Sequence, residues 1–276
     1  MIVFDVMSIG FFDSGLGGLT VLKEVVKTLP QYSYIYLGDN ARTPYGSRSQ
    51  EIIYQFTLQG VKKLFEKGAE LVILACNTSS SASLRKIQQE FLPRNFPSKR
   101  VLGIIIPTSE EIDRFSQTKE VGILATEATV NSLAYQKEIN KLYPDINVYQ
   151  QACPLLVPII ESGEIDEENL NLAIQKYLNK LFAKSRKIDT IILGCTHYAI
   201  IEEKIKSLLP ADVKIVSQGP IIAEKLKNYL IRHPEIEKKI SKTGKRLFFS
   251  TEDSERIRLL TSLFYGEPLK IEVIKI

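Results

Sequence analysis

A disulfide framework, a membrane span and a metal-binding pattern are all missing from this sequence, and each absence narrows what the protein can do. Three cysteines in 276 residues, Cys76, Cys153 and Cys195, are too few for a disulfide scaffold and fit a reducing compartment. No run of 18 apolar residues is available to cross a bilayer, and the opening Met1 to Val6 lacks the basic start of a secretory signal. A cytoplasmic protein without a membrane partner is the expectation. Only two histidines occur, His197 and His233, and no second Cys/His pair accompanies Cys195-Thr196-His197, so no metal is expected. The net charge of +4 is small, with lysines scattered among glutamates as on a solvated surface, which speaks against a nucleic-acid partner. Low-complexity segments and linkers are absent too.

What is there is a folded globular composition, 44% hydrophobic and 25% charged, at a length suited to two domains. The chain is organised around Leu71-Val-Ile-Leu-Ala75 and the residues that follow it, Cys76-Asn77-Thr78-Ser79. The apolar run is short and β-branched, as a buried parallel strand is. Asn, Thr and Ser directly after it are the residues that start helices. Cys76 is therefore expected at the carboxyl end of a central strand, where open α/β sheets bind ligands. A helix N-terminus beside it is expected to favour the thiolate. The same arrangement returns as Thr190-Ile-Ile-Leu-Gly194 followed by Cys195-Thr196-His197.

Strand and helix alternate throughout, which predicts α/β architecture with parallel sheets. Residues 8–13 read as a strand, Leu19 to Leu29 as a helix stopped by Pro30, and Tyr32 to Leu37 as a second strand. Ile53, Phe56, Gly60, Val61 and Leu64 line a helix that leads to the strand before Cys76. The second half repeats the plan at slowly growing offsets: 112 from Gly10 to Gly122, 117 from Lys63 to Lys180, and 119 from Cys76 to Cys195. Duplication followed by small loop insertions gives that pattern. Two similar domains are expected, residues 1–103 with 218–276 and residues 104–217, with a site in the cleft between them. Residues 101–107 read as the crossing strand, and the tail after 217 as a return to the first domain.

A thiol titrates close enough to neutrality to serve as a base or an acid. Two of them facing each other across a cleft suggest one that removes a proton and one that returns another. The alternative left by the residues themselves is a two-domain small-molecule binding protein whose cysteines are inert. Cys153, outside any such frame, reads as core, and His233 as surface. Asp13-Ser14 precedes Gly15, Gly17 and Gly18, with Asp39 at a distance suited to a ribose. The G-x-G-x-x-G fingerprint nevertheless fails, because Thr20 holds the third position. A Cys-x5-Arg loop fails at Ala82, and no G-x-S-x-G elbow occurs. Glu161, after the apolar run Pro158-Ile-Ile, would alone be a surface acid.

Taken together, Gly10-Phe-Phe-Asp-Ser-Gly-Leu-Gly-Gly, Pro44-Tyr-Gly46, Ala75-Cys-Asn-Thr78, Ala125-Thr-Glu-Ala-Thr-Val130, Glu161, Gly194-Cys-Thr-His-Tyr198 and Phe248-Phe-Ser-Thr-Glu-Asp253 resemble the glutamate racemase family. The resemblance covers nearly the whole chain. It implies a cofactor-independent isomerase that interconverts L- and D-glutamate, supplies D-glutamate for peptidoglycan and hence cell-wall biogenesis and cell shape, and works as a homodimer. It makes Cys76 and Cys195 the acid/base pair, with Asp13, Glu161 and His197 assisting. It places Asp13, Ser14, Tyr45, Gly46, Asn77, Thr78, Thr126, Thr196 and His197 against the substrate. Cys76 would take the α-proton of D-glutamate and Cys195 that of L-glutamate. Aspartate and hydantoin racemases share the paired cysteines, so aspartate or another amino acid is the alternative substrate. Two departures from the family pattern stand out: Ala125 where glycine is usual, and Ser217-Gln218 in place of an Asp-Ser pair.

Overall fold

Strand-helix alternation yields two parallel sheets in the computed structural model, which describes residues 7–163, 165 and 168–276. The first sheet begins with β1 (Ser8–Asp13), β2 (Tyr34–Gly38), β3 (Ala69–Leu74) and β4 (Arg100–Gly103). The second comprises β5 (Glu120–Ala125), β6 (Asn147–Ala152), β7 (Thr190–Gly194) and β8 (Lys214–Val216). The chain then returns to the first sheet with β9 (Arg246–Ser250) and β10 (Ile271–Val273). The spatial orders are β10-β9-β2-β1-β3-β4 and β6-β5-β7-β8, and every pairing is parallel. Without the returning pair the two orders coincide, second-first-third-fourth, as a duplicated unit gives.

Helices cover both faces of each sheet, as parallel sheets require. In the first lobe these are α1 (Gly18–Thr28), α2 (Gln50–Glu66), α3 (Asn77–Lys86) and the short α4 (Leu92–Asn95). The second lobe carries α5 (Ile105–Glu111), α6 (Glu127–Ser132), α7 (Ala134–Leu142), α8 (Leu156–Ser162), α9 (Glu168–Phe182) and α10 (Glu202–Ser207). α11 (Gln218–Arg232), α12 (Pro234–Glu237) and α13 (Glu255–Tyr265) complete the chain. Alternation along the strands decides which core each side chain joins. Ile9 and Phe11 of β1, with Ile191 and Leu193 of β7, enter one large apolar cluster that spans both lobes. Phe12 points to the opposite face of the first sheet, and Ile192 to that of the second.

The expected crossing strand at 101–107 is only partly formed. β4 stops at Gly103, and helix begins at Ile105. The run Ile104-Ile-Ile-Pro107 is ambiguous because its proline sits in the first turn of α5. There a missing N–H breaks no helical bond. No helix among the described residues is long and apolar enough to cross a membrane.

Candidate active site

The carboxyl ends of both sheets face one cleft of about 610 Å³, its open mouth included. Ser14 after β1, residues 43–47 after β2, and Cys76, Asn77 and Thr78 after β3 form one wall. Thr126 and Glu127 after β5, Cys153 and Pro154 after β6, and Cys195, Thr196 and His197 after β7 form the other. Both thiols therefore line the same pocket, one from each lobe, and all three cysteines are free.

Cys76 is the N-cap of α3, and its Sγ accepts a hydrogen bond from the Ser79 N–H at 3.4 Å. It shares a second with Ser14 Oγ at 3.3 Å. The Asn77 and Thr78 N–H groups are the first of the helix and have no partner within it. The structure corrects the expectation of a favoured thiolate here. Burial, reinforced by the charge of Asp13, pushes the Cys76 thiol up, and outweighs the downward pull of Ser14 and Ser79.

Cys195 has different company. Its Sγ lies 3.9 Å from His197 Nδ1, and His197 Nε2 lies 2.9 Å from Glu161 Oε1. Burial opposes a charge on His197, but the bonds to Cys195 and Glu161 outweigh it and hold the imidazole well above its usual range. Burial likewise opposes the Glu161 charge. The His197 bond and charge, with Arg256 and Thr43, outweigh that and keep the carboxyl below its usual range. The edge of His197 packs against Phe264 of α13, ring centroids 5.1 Å apart.

Asp13 and Glu161 stand behind the pocket wall, not in it. Asp13 is fully buried: its Oδ1 accepts from the Gly15 N–H at 2.8 Å and its Oδ2 from Thr196 Oγ1 at 3.4 Å. Burial pushes its carboxyl up, Glu161 adds to the rise, and His197, Gly15 and Thr196 resist it. The Asp13–Thr196 bond joins the lobes, as does Thr20 Oγ1 donating to the Thr196 carbonyl at 3.3 Å. Gly17 makes this approach possible, since a Cβ there would fall 2.3 Å from Thr196 Oγ1. Hydroxyls meet at another point of the wall, where Thr78 and Thr126 Oγ1 are 2.9 Å apart, and the Ala128 N–H donates to the Gly46 carbonyl at 2.9 Å.

The remaining expected contacts, Ser14, Tyr45, Gly46, Asn77, Thr78, Thr126, Thr196 and His197, all line the pocket. Sequence reasoning missed Thr43, Pro44, Ser47, Glu127, Pro154, Val157 and Pro158, which sit in loops or first helical turns without periodicity. Cys153 is core and at the same time part of the wall, because β6 ends beside β5. Asp39, weighed above for a ribose, instead anchors the pocket loop: it accepts from the Tyr45 hydroxyl, from Arg42 Nε at 2.6 Å and from Thr251 Oγ1 at 2.9 Å. Ala125 pairs with Gly194, where a Cβ would come 3.1 Å from the Ala125 methyl, so the bulk lies on the other strand of the pair. His233 pairs with Glu235 at 3.1 Å, away from the cleft. Among the described residues, no cluster of three or more His, Cys, Asp or Glu side chains is placed to hold a metal.

A family profile described as Asp/Glu/Hydantoin racemase matches residues 12–226. The chain belongs to that family. A glutamate racemase of Sulfurihydrogenibium sp. is 38% identical over 271 residues, covering 98% of each chain. The crystal structure of glutamate racemase from Francisella tularensis in complex with D-glutamate superposes with a TM-score of 0.86 at 34% identity, covering 98% of each chain. Glutamate racemase isoform RacE1 of Bacillus anthracis gives 0.87 at 30%, covering 97% of each. Within this racemase family fold, the two thiols of the present chain have opposite neighbours, a carboxyl near Cys76 and an imidazole near Cys195.

That contrast should appear in alkylation. Near neutral pH, iodoacetamide should modify Cys195 ahead of Cys76, and Cys76 should react faster only as pH passes the ordinary thiol range. Peptide mapping of the labelled protein, with and without glutamate as protectant, reads both rates. Preferential labelling of Cys76 at neutral pH would contradict the difference in environment.

Proposed function

We propose that this protein is a glutamate racemase that moves the Cα proton between its two thiols without a cofactor or metal. The observation that carries the reading is the placement of Cys76 and Cys195 at the ends of equivalent strands, β3 and β7, in opposite walls of one pocket. Inversion at Cα needs a base on one face and an acid on the other, and two lobes meeting at a cleft supply one each. Cys76 faces the α-hydrogen of D-glutamate and Cys195 that of L-glutamate. His197, held by Glu161, serves Cys195, and Asp13 serves Cys76 from behind the wall. Helix-start N–H groups at Asn77 and Thr78, with the hydroxyls of Ser14, Thr78, Thr126 and Thr196, are suited to hold the α-carboxylate as negative charge develops. Glutamate, not aspartate, is favoured because the near-full-length relatives named above are glutamate racemases. A cytoplasmic homodimer that supplies D-glutamate for peptidoglycan completes the reading.

The test is circular dichroism of a panel of single-enantiomer amino acids, using protein dialysed against chelator and treated with hydroxylamine. Glutamate alone should lose its optical activity, from either enantiomer, at an unreduced rate. Binding without racemisation would favour a binding protein. Faster loss of aspartate signal, or activity that pyridoxal phosphate or a metal restores, would overturn the assignment.

A further inference from the structure

Gln218 sits where the chain crosses between the lobes. One crossing runs from β4 into α5 and the other from β8 into α11, which Gln218 begins. Gln218 is buried, with 5% of its surface exposed, and its side-chain amide packs against that of Asn77. Asn77 Nδ2 donates to Gln218 Oε1 at 2.6 Å, and Gln218 Nε2 faces Asn77 Oδ1 at 3.3 Å. The same Nε2 lies 3.1 Å from Thr108 Oγ1 on α5 and 2.8 Å from the Tyr135 hydroxyl on α7. The ring closes where Tyr135 donates to Asn77 Oδ1 at 2.7 Å. Four helices from the two lobes are thus tied at one buried point, next to Cys76 in the chain. A buried polar network with its members satisfied is rigid, and breaking it leaves amides unpaired.

We infer that Gln218 is a positioning residue that sets the spacing between the two thiols. It holds the start of α3, and with it Cys76, against the lobe that carries Cys195. The inference rests on the two-thiol reading proposed above. In that reaction the Cα–H bond breaks toward one thiolate, its electron pair stays on the substrate, and the opposite S–H bond gives its proton to the other face. Removing the proton requires one thiol within reach; inversion requires both. A loosened junction therefore spares the first transfer and impairs the second. A proton returned by the first thiol, after exchange with solvent, restores the starting enantiomer.

The experiment is D-glutamate in deuterated water with the full-length protein. Proton NMR reads deuterium entering recovered D-glutamate, and circular dichroism reads L-glutamate formed. Gln218→Ala should raise the ratio of exchange with retention to inversion about tenfold, since errors of order 1 Å in placement cost that much or more. Tyr135→Phe removes only the bridging hydroxyl and should shift the ratio the same way by less, and it serves should the alanine variant not fold. Parallel falls in exchange and inversion, tracking the folded fraction, or an unchanged ratio, would overturn the inference while leaving the two-thiol reading intact. A parent protein that does not racemise glutamate would overturn both.

Discussion

Cys195→Ser and Cys76→Ser should each fold, bind glutamate and racemise it about a thousandfold more slowly or worse. A hydroxyl titrates far above a thiol, so serine is a poor base at neutral pH. Because the enantiomers have equal free energy, kcat/KM for L to D must equal that for D to L in every variant. Which face each variant has lost therefore cannot show as a directional difference in kcat/KM for racemisation. It should show in exchange: in deuterated water Cys195→Ser should retain more Cα exchange with D-glutamate, and Cys76→Ser more with L-glutamate. Proton NMR of the α-hydrogen measures both. The reverse pairing would exchange the assigned faces, and equal exchange of both enantiomers by both variants would defeat the two-base mechanism.

His197→Asn should lower kcat/KM about a hundredfold, equally in both directions. The imidazole touches both Cys195 and Glu161, and those bonds favour its charged form. Asparagine offers a polar group of similar reach but no charge. The variant slows the transfers made by Cys195 and leaves those of Cys76. With Cα-deuterated substrate, the isotope effect should rise for L-glutamate, whose C–H cleavage has become limiting, and fall for D-glutamate, whose cleavage no longer is. Isotope effects that stay at the parent values in both directions would make His197 a packing residue only. Glu161→Gln should move both effects the same way by less, since an amide still bonds the ring.

Both thiols are legible from the chain because three local signals coincide: an apolar strand, a cysteine at its end, and capping residues after it. That the two halves repeat one plan is legible as growing offsets between like segments, whereas the shared strand order β2-β1-β3-β4 and β6-β5-β7-β8 is visible only in the folded chain. Glu161 is different. Its own surroundings in sequence suggest a surface acid, and only the resemblance to a family singles it out, since His197 is 36 residues away. The error at Ile104-Ile-Ile-Pro107 arises because proline disfavours a helix interior yet is accepted in a first turn. Nothing local could reveal the pairing of Asn77 with Gln218 across 141 residues, nor that Asp39 would brace Tyr45. Protonation was the least legible property. A helix start pulls a thiol down, but how deeply Cys76 is buried, and that Asp13 lies near enough to raise it, are set by tertiary packing.

Cysteine at the first cap of α3 has a further consequence. Helices open preferentially on serine, threonine, aspartate or asparagine, whose oxygen accepts from the third N–H more strongly than sulfur does. At position 76 a serine would keep Ser14 and the Ser79 N–H as partners and hold the helix start more firmly. Heat resistance and turnover therefore pull this position in opposite directions. A library ranked by melting temperature alone would drift toward serine at 76 and discard the reaction, with every other part of the cleft still in place.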